Sequence, residues 1–173
     1  ATQNPIEQEG TYPLPEAQLD RFLLHVLVDY PDREAETKIL QLVRNENAQI
    51  SAPAQTLITQ HNIFSARQEM LALHMAEPVE RYIVELILAT RNPPERIKPW
   101  LEFGASPRGT IGLDMCARAL AWLNDRNFVT PEDVQSVAHD VLRHRLILSF
   151  DADAQGITTD QVIDDLIALV PVP

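Results

Sequence analysis

Apolar residues recur every three to four positions over most of this chain, which is the spacing of amphipathic helices. The clearest apolar stripes follow Ser106, Thr130 and Thr158, and each of these residues is of a type that caps helix N-termini. Proline comes directly after Ser106 and Thr130, at the first helical position, where its missing N–H costs nothing. The pattern therefore predicts three capped helices, the first of about five turns.

The middle of the chain predicts further helices. Acidic residues after Pro31 and the basic Arg44 suit the two ends of one helix. A capping-box pattern predicts that another helix begins at Ser65, and Pro78 predicts the start of the next. Residues 45–63 are expected to be mostly loop, with a short helix near residues 54–60. The predicted fold is mainly α, a helical bundle.

Residues 1–30 differ from the rest of the chain. Residues 16–22 are long enough for two helical turns, and residues 24–28 are apolar and partly β-branched, as in a buried strand. Because a single strand is not stable alone, we expect its neighbours, and the natural beginning of the chain, upstream of Ala1. The predicted organisation is a small remnant of an α/β core over residues 1–30, followed by a helical domain over residues 31–173.

Composition and charge narrow the function classes. The 173 residues include 25 acidic and 14 basic side chains, a formal net charge of −11 at pH 7. Such an acidic chain is poorly suited to binding nucleic acid or anionic lipid, although it leaves room for one local phosphate site. The one cysteine, Cys116, lies on an apolar stripe, so we expect a core residue and no disulfide. No apolar run reaches the ~18 residues of a membrane span, and we expect a cytoplasmic protein.

Most catalytic constellations are missing from the sequence. The histidines are scattered, and the five-residue spacing of His139 and His144 does not place them on one helical face as metal ligands. We therefore predict no metal site in this chain. A phosphate-binding loop of the Walker A type needs a lysine after its last glycine, and neither Lys38 nor Lys98 follows a glycine. The chain as given cannot hold ATP by that route.

The segment from Gly104 to Gly109 is the most informative stretch for function. If Ser106 caps a helix, Arg108 lies in its first turn, where a cation opposes the helix dipole by a few tenths to about 1 kcal/mol. The arginine, the free helix amides and the flanking glycines together suit the binding of an anion such as a phosphate. A solvent-exposed arginine screened by water is the other interpretation, and this stretch alone leaves both open.

Two more residues suit phosphoryl transfer. Asn4 lies where the chain would be leaving a strand, and a side-chain amide there can orient an attacking water. Arg21 follows the short predicted helix and can project toward a neighbouring subunit, where an arginine stabilises charge on a transferring phosphoryl group. Taken singly, a loop asparagine before Pro5 and a surface arginine paired with Asp20 or Glu16 are the simpler interpretations.

Several separate segments of the chain occur together, in this order, in one known family. Residues 1–22, from Ala-Thr-Gln-Asn-Pro to Leu-Asp-Arg-Phe, closely resemble the segment after that family's Walker B strand, and residues 104–109, Gly-Ala-Ser-Pro-Arg-Gly, resemble its sensor 2 motif. Residues 128–134, 141–146 and 169–173 also fit. The resemblance, which covers essentially the whole chain, is to the MoxR subfamily of the AAA+ ATPases.

The resemblance implies a role for each of these residues. Asn4 would be the sensor 1 residue that positions the hydrolytic water, and Arg21 would be the arginine finger that acts in trans on nucleotide in the adjacent subunit. Arg108 would be sensor 2, which couples the γ-phosphate to movement of the helical lid, with Ser106 and Pro107 in the same ATP-binding segment. Whether sensor 2 acts within its own subunit or across the boundary stays open.

The resemblance also implies the fold and the partners. The chain would be the end of a nucleotide-binding core plus a helical lid, with Walker A and Walker B upstream. The parent protein would use ATP and Mg²⁺, whereas this piece alone would be inactive and is not expected to bind either. Family members form rings, typically hexamers, and act as chaperone-like ATPases on other complexes, often with partners that carry von Willebrand factor A domains. The alternative is a stand-alone helical protein–protein interaction module with no nucleotide function.

Overall fold

The computed structural model describes residues 1–2, 14–48 and 58–173. The chain forms two compact units, one made of Ala1–His25 with Met70–Pro173 and the other of Val26–Glu69. In chain order the helices are α1 (Glu16–Leu19), α2 (Arg33–Asn47), α3 (Gln60–Ala72), α4 (Glu77–Arg91), α5 (Pro107–Leu123), α6 (Pro131–Leu142), α7 (Phe150–Ala154) and α8 (Thr159–Leu169). The expectation of a mainly helical fold is confirmed.

A small sheet completes the first unit. A 3₁₀ turn, Lys98–Trp100, leads into β1 (Leu101–Phe103), which pairs antiparallel with β2 (Ile147–Leu148). The backbone N–H of Ser149 donates to the Trp100 carbonyl at 2.9 Å and closes the end of this pair. Neither strand was predicted from the sequence.

The core of the first unit lies where α4, α5, α6 and α8 meet, and α5 packs most extensively on α6. Most of the fully buried side chains on these four helices are aliphatic: Leu86, Ile87, Leu113, Val134, Val141, Leu142, Val162, Ile163 and Leu166. Each such side chain contributes roughly 1.5–3 kcal/mol relative to an exposed one. Cys116 is buried in this core as predicted, and its burial raises the pKa of its thiol.

Side-chain caps begin the last three long helices, as the sequence predicts. The Ser106 hydroxyl caps α5, and Pro107 is the first residue of that helix. Thr130 and Thr158 form capping boxes with residues three positions later, at the starts of α6 and α8. Each cap satisfies backbone N–H groups that the first helical turn leaves without partners, which stabilises a helix by about 1 kcal/mol.

In the described range the second unit contains α2 and most of α3, whose last three residues belong to the first unit. Asp32 caps α2, and its carboxylate accepts from the Ala35 N–H at 2.8 Å. The helix start predicted at Ser65 is wrong, because α3 begins at Gln60. The Thr59 hydroxyl already accepts from the Asn62 N–H at 3.2 Å, so the first turn is capped six residues earlier. The short helix predicted near residues 54–60 lies mostly outside the described residues.

Two predictions for the first thirty residues are also wrong. The first helix ends at Leu19 and not at residue 22. Residues 24–28 form no strand, and the Val28 side chain is 91% exposed. An isolated strand leaves its backbone groups unpaired, and no segment among the described residues pairs with this one. The predicted division between residues 1–30 and 31–173 stays a prediction.

Candidate functional site

The loop before α5 is fixed to the end of α4. The Thr90 hydroxyl donates to the Ile87 carbonyl at 2.7 Å and accepts from the Ala105 N–H at 3.0 Å. Arg91 Nε donates to the Ala105 carbonyl at 2.9 Å. Both polar groups of the Ala105 backbone are therefore satisfied by α4, so this loop sets the position of the helix that follows it.

Gly104 allows this close approach between the loop and α4. A Cβ atom at residue 104 would lie 2.3 Å from the Thr90 carbonyl oxygen and 2.8 Å from the Arg91 nitrogen. Both of these atoms belong to the backbone and cannot rotate away. Any side chain at this position would push the loop away from α4.

We expect the Gly104→Ala variant to lower the free energy of unfolding by about 2–3 kcal/mol, because the loop must shift and lose its bonds to Thr90. Urea unfolding of the chain measures this. Gly156→Ala is the matched control: nothing lies within 4 Å of its Cβ, and only its φ of +70° opposes a side chain, so its loss should be about 1 kcal/mol. Equal losses in the two variants would contradict a steric role for Gly104.

The first amides of α5 are already occupied. The Arg108 N–H donates to the Ser106 hydroxyl oxygen at 3.1 Å, and the Gly109 N–H donates to the Ser106 carbonyl at 2.9 Å. Pro107 has no N–H to offer. The expectation of free amides at this helix start is therefore wrong, because the cap and the first turn use them. An anion bound here would be held by the Arg108 side chain.

The Asp20 carboxylate lies at the start of α5. The Ser106 hydroxyl lies 2.9 Å from each of its oxygens, and Arg108 Nε lies 3.6 Å from Oδ2. Arg145 Nε lies 3.3 Å from Oδ1, although it forms no aligned hydrogen bond. A carboxylate at a helix N-terminus is favoured by the dipole, so Asp20 offsets the unfavourable position of Arg108.

Arg145 is a buried cation that binds backbone oxygens. Its side chain is 2% exposed. The guanidinium donates to the carbonyls of Asp20 and Leu23, each at 3.2 Å, and also to those of Phe22 and Val141. Burial lowers the pKa of this guanidinium, and the Asp20 carboxylate opposes that shift. The turn after α1 is thereby fixed to the end of α6.

Arg143 and His144 extend this attachment. Arg143 donates to the His25 carbonyl and binds the carboxylates of Asp140 and Asp160 at 2.7 and 2.9 Å. His144 Nε2 lies 3.0 Å from the Phe22 carbonyl oxygen, and burial lowers the pKa of its ring, which favours the neutral form. We call Arg143, His144 and Arg145 together the arginine cluster. Its side chains bind the backbone carbonyls of four of the residues 20–25.

The predicted site residues have different surroundings. Arg108 is 55% exposed and lies against Asp20. The Arg21 side chain is exposed and makes no hydrogen bond or ion pair with the part of the chain that the structure describes. Arg21 directly follows Asp20, and the Asp20 carboxylate contacts Arg108. Asp20 therefore links the segment that bears Arg21 to Arg108. Asn4 lies outside the described residues.

The sequence alone predicts no role for Asp20 or Arg145. Asp20 was considered only as a surface partner of Arg21, and it instead binds residues of α5 and the arginine cluster. Arg145 had one available signal, because it lies between apolar residues 141–142 and 146–148. A charge inside an apolar run is typical of a buried group with dedicated partners.

Metal-ligand clusters and membrane-spanning helices are both missing from the described residues. Over residues 1–2, 14–48 and 58–173, no three His, Cys, Asp or Glu side chains lie together as metal ligands would. Over the same ranges, no helix combines the length and the apolar character that a bilayer span requires.

Comparison with known proteins identifies the family. The profile of the AAA lid domain matches residues 94–166, and that of the AAA family, ATPases associated with various cellular activities, matches residues 1–24. Chaperone MoxR1 of Mycobacterium tuberculosis is 40% identical over the whole chain, and protein MoxR of Paracoccus denitrificans is 30% identical over the whole chain. This chain belongs to the MoxR subfamily of the AAA+ ATPases.

The chain spans about half the length of these relatives, 46% of the Mycobacterium protein and 55% of the Paracoccus protein. The uncharacterised protein YeaC of Bacillus subtilis is 38% identical over the whole chain, which spans 52% of it. A solved structure from Cytophaga hutchinsonii, described as a candidate ATPase, is 40% identical, with a TM-score of 0.93 over 99% of this chain and 52% of that one.

Proposed function

We propose that this chain is the C-terminal part of a MoxR-type AAA+ ATPase, made of the end of the nucleotide-binding core and the helical lid. In the whole protein it couples ATP binding and hydrolysis to chaperone-like remodelling or activation of partner complexes. The observation that carries this proposal is the exposed Arg108 guanidinium at the start of α5, joined through Asp20 to the segment that bears Arg21. Family membership adds independent support.

Arg108 acts on the phosphates of bound ATP. Its guanidinium is half exposed, and its one described ion pair is a loose one of 3.6 Å to Asp20, so it is free to exchange partners. An arginine binds phosphate oxygens in a two-pronged geometry and stabilises the charge that develops during phosphoryl transfer. Because Arg108 lies in the first turn of α5, a movement of its side chain toward a phosphate also pulls on α5. Ser106 and Pro107 fix that turn.

The other roles lie at the edge of the core. Arg21 acts as the arginine finger on nucleotide in the adjacent subunit of a ring, which suits its exposed side chain without a described partner. Asn4 orients the attacking water. ATP supplies the phosphoryl group and Mg²⁺ neutralises its charge, and residues upstream of this chain hold both of them.

Assembly and partners follow from the same proposal. The whole protein forms a ring, typically a hexamer, so that each Arg21 faces a neighbour's nucleotide. Its partners include proteins with von Willebrand factor A domains, and it works in the cytoplasm. A stand-alone interaction module is the second candidate, and it is favoured by the exposed apolar side chains of α2, Ile39, Leu40, Leu42 and Val43.

The deciding experiment measures ATP hydrolysis by the chain extended upstream to the length of its relatives. We expect Arg108→Ala to lower kcat by about 10- to 100-fold, because one charge-stabilising donor is lost from the transition state. Helix content by circular dichroism should be unchanged, since the side chain is half exposed.

Arg96→Ala is the matched control for this experiment. Arg96 is 67% exposed and forms an ion pair of 3.0 Å with Asp165, so its loss removes a comparable surface pair at another place. Hydrolysis by Arg96→Ala should stay at the wild-type rate. An extended chain that neither binds nor hydrolyses ATP would overturn the proposal in favour of the interaction module, and a loss of helix content in Arg108→Ala would make this arginine structural.

A further inference from the structure

The start of α5 already holds an anion, and that anion belongs to the chain. The Asp20 carboxylate accepts from the capping hydroxyl of Ser106 at 2.9 Å and lies 3.6 Å from the Arg108 guanidinium. It therefore occupies a position beside Arg108 that suits a negatively charged ligand. A phosphate that binds Arg108 must compete with Asp20 for it.

Asp20 cannot simply move away with Arg108. Arg145 binds the Asp20 backbone carbonyl at 3.2 Å and lies 3.3 Å from its carboxylate, and Arg145 itself is buried. Arg108, by contrast, is half exposed at the other side of the carboxylate. The fixed partner of Asp20 is thus Arg145, and the exchangeable partner is Arg108.

The residue after Asp20 is Arg21, which has an exposed side chain. The backbone on both sides of Arg21 is held, since the carbonyls of Asp20 and Phe22 both accept from Arg145. The placement of Arg21 therefore depends on how Asp20 is held, and Asp20 in turn is shared with Arg108.

We propose that Asp20 is a positioning residue that competes with bound phosphate for Arg108 and links the start of α5 to the segment that carries Arg21. When Arg108 turns to a phosphate, the carboxylate keeps Arg145 and Ser106 as partners and loses one cation. The contact of Arg108 with ATP is thereby coupled to the placement of the arginine that serves the neighbouring subunit. This inference rests on the proposed ATPase function.

The test uses Asp20→Asn in the full-length protein proposed above. Asparagine keeps an oxygen for the Ser106 hydroxyl and removes the charge that competes for Arg108. We expect a non-hydrolysable ATP analogue, AMP-PNP, to bind about two- to fivefold more tightly in calorimetry, the range of a surface ion pair. We expect kcat to fall about tenfold, because Arg21 is less well placed for the reaction. A purely structural role would weaken binding and turnover together.

The Arg108→Gln background tests whether Asp20 acts through Arg108. If Asp20 acts through Arg108, Asp20→Asn tightens AMP-PNP binding in the wild-type background and not in Arg108→Gln. Asp20→Glu, which keeps the charge, should bind AMP-PNP within twofold of wild type. Asp165→Asn is the matched control. The Asp165 side chain is 22% exposed and pairs with Arg96, and the Asp20 side chain is 23% exposed and lies beside Arg145. It should change neither binding nor kcat.

Failure of the proposed role of Asp20 can be distinguished from failure of the proposed ATPase function. If wild-type protein does not bind AMP-PNP, the proposed ATPase function fails. If wild-type protein binds it and Asp20→Asn binds it equally or more weakly, only the role of Asp20 is overturned. Tighter binding that persists in the Arg108→Gln background also overturns that role. Circular dichroism and thermal melting verify that Asp20→Asn folds, and Asp20→Ser carries the same prediction if it does not.

Discussion

Arg21→Ala is expected to lower kcat by about 10³-fold in the ring-forming full-length protein, while binding of ATP stays near the wild-type level. An arginine finger contacts the transferring phosphoryl group of the neighbour and contributes mainly to the transition state, so its loss affects kcat more than binding. The exposed Arg21 side chain has no described partner, so the fold should be retained. Steady-state kinetics and AMP-PNP titration measure the two effects.

Action across the subunit boundary has its own test. Arg21→Ala subunits are mixed with subunits whose upstream nucleotide pocket is inactivated by replacing the lysine of its glycine-rich loop. Each variant alone is inactive, but random mixing at equal amounts places an intact pocket beside an intact Arg21 at about a quarter of the sites, because a ring contact joins two different faces. We therefore expect about a quarter of wild-type turnover in the mixture.

The control for this mixing experiment is Arg81→Ala. Arg81 is 69% exposed and lies 3.9 Å from Glu77, so it is an exposed arginine of the same unit with no proposed role. Its variant alone should hydrolyse ATP at the wild-type rate, and its equal mixture with the pocket variant should keep about half of wild-type turnover, because every Arg21 is intact and only half of the pockets are lost. Mixtures of Arg21→Ala with the pocket variant that stay inactive would show that Arg21 does not serve a neighbour.

The helix starts of this chain could be predicted because their signals are local. Ser106, Thr130 and Thr158 each cap their helix through groups no more than three residues away, so the local sequence contains the whole capping interaction. The apolar stripes behind them predict which helix faces are buried, since a periodic face can only be satisfied by packing. The mainly α fold follows from these two signals together.

The arrangement around Asp20 could not be predicted in the same way. The hydrogen bonds from Arg143, His144 and Arg145 to residues 20–25 join positions 118 to 125 residues apart, and the Ser106–Asp20 bond joins positions 86 apart. No local spacing indicates such contacts. The same limit explains the strand wrongly predicted at residues 24–28, since an apolar, β-branched run forms a strand only beside a partner. It also explains β1 and β2, which at three and two residues are too short for a periodic signal.

Arg145→Met is expected to lower the free energy of unfolding of the chain by about 2–4 kcal/mol. Methionine is apolar and flexible and replaces the arginine side chain as far as Nε, so the loss comes mainly from lost hydrogen bonds. The carbonyls of Asp20, Phe22, Leu23 and Val141 lose a charged donor, and the Asp20 carboxylate loses its buried partner. Urea unfolding followed by circular dichroism measures the change.

Two further substitutions identify the cause of this loss. Arg96→Met removes an arginine that is 67% exposed from its pair with Asp165, and its expected loss is below about 1 kcal/mol. Arg145→Lys keeps the charge but replaces a planar fork by one ammonium group, which cannot reach four carbonyls at once. It should therefore recover only part of the stability. Suppose that Arg145→Met lowered the free energy of unfolding no more than Arg96→Met does. Arg145 would then not hold residues 20–23 to α6, and the contacts between Asp20 and the arginine cluster would not stabilise the fold.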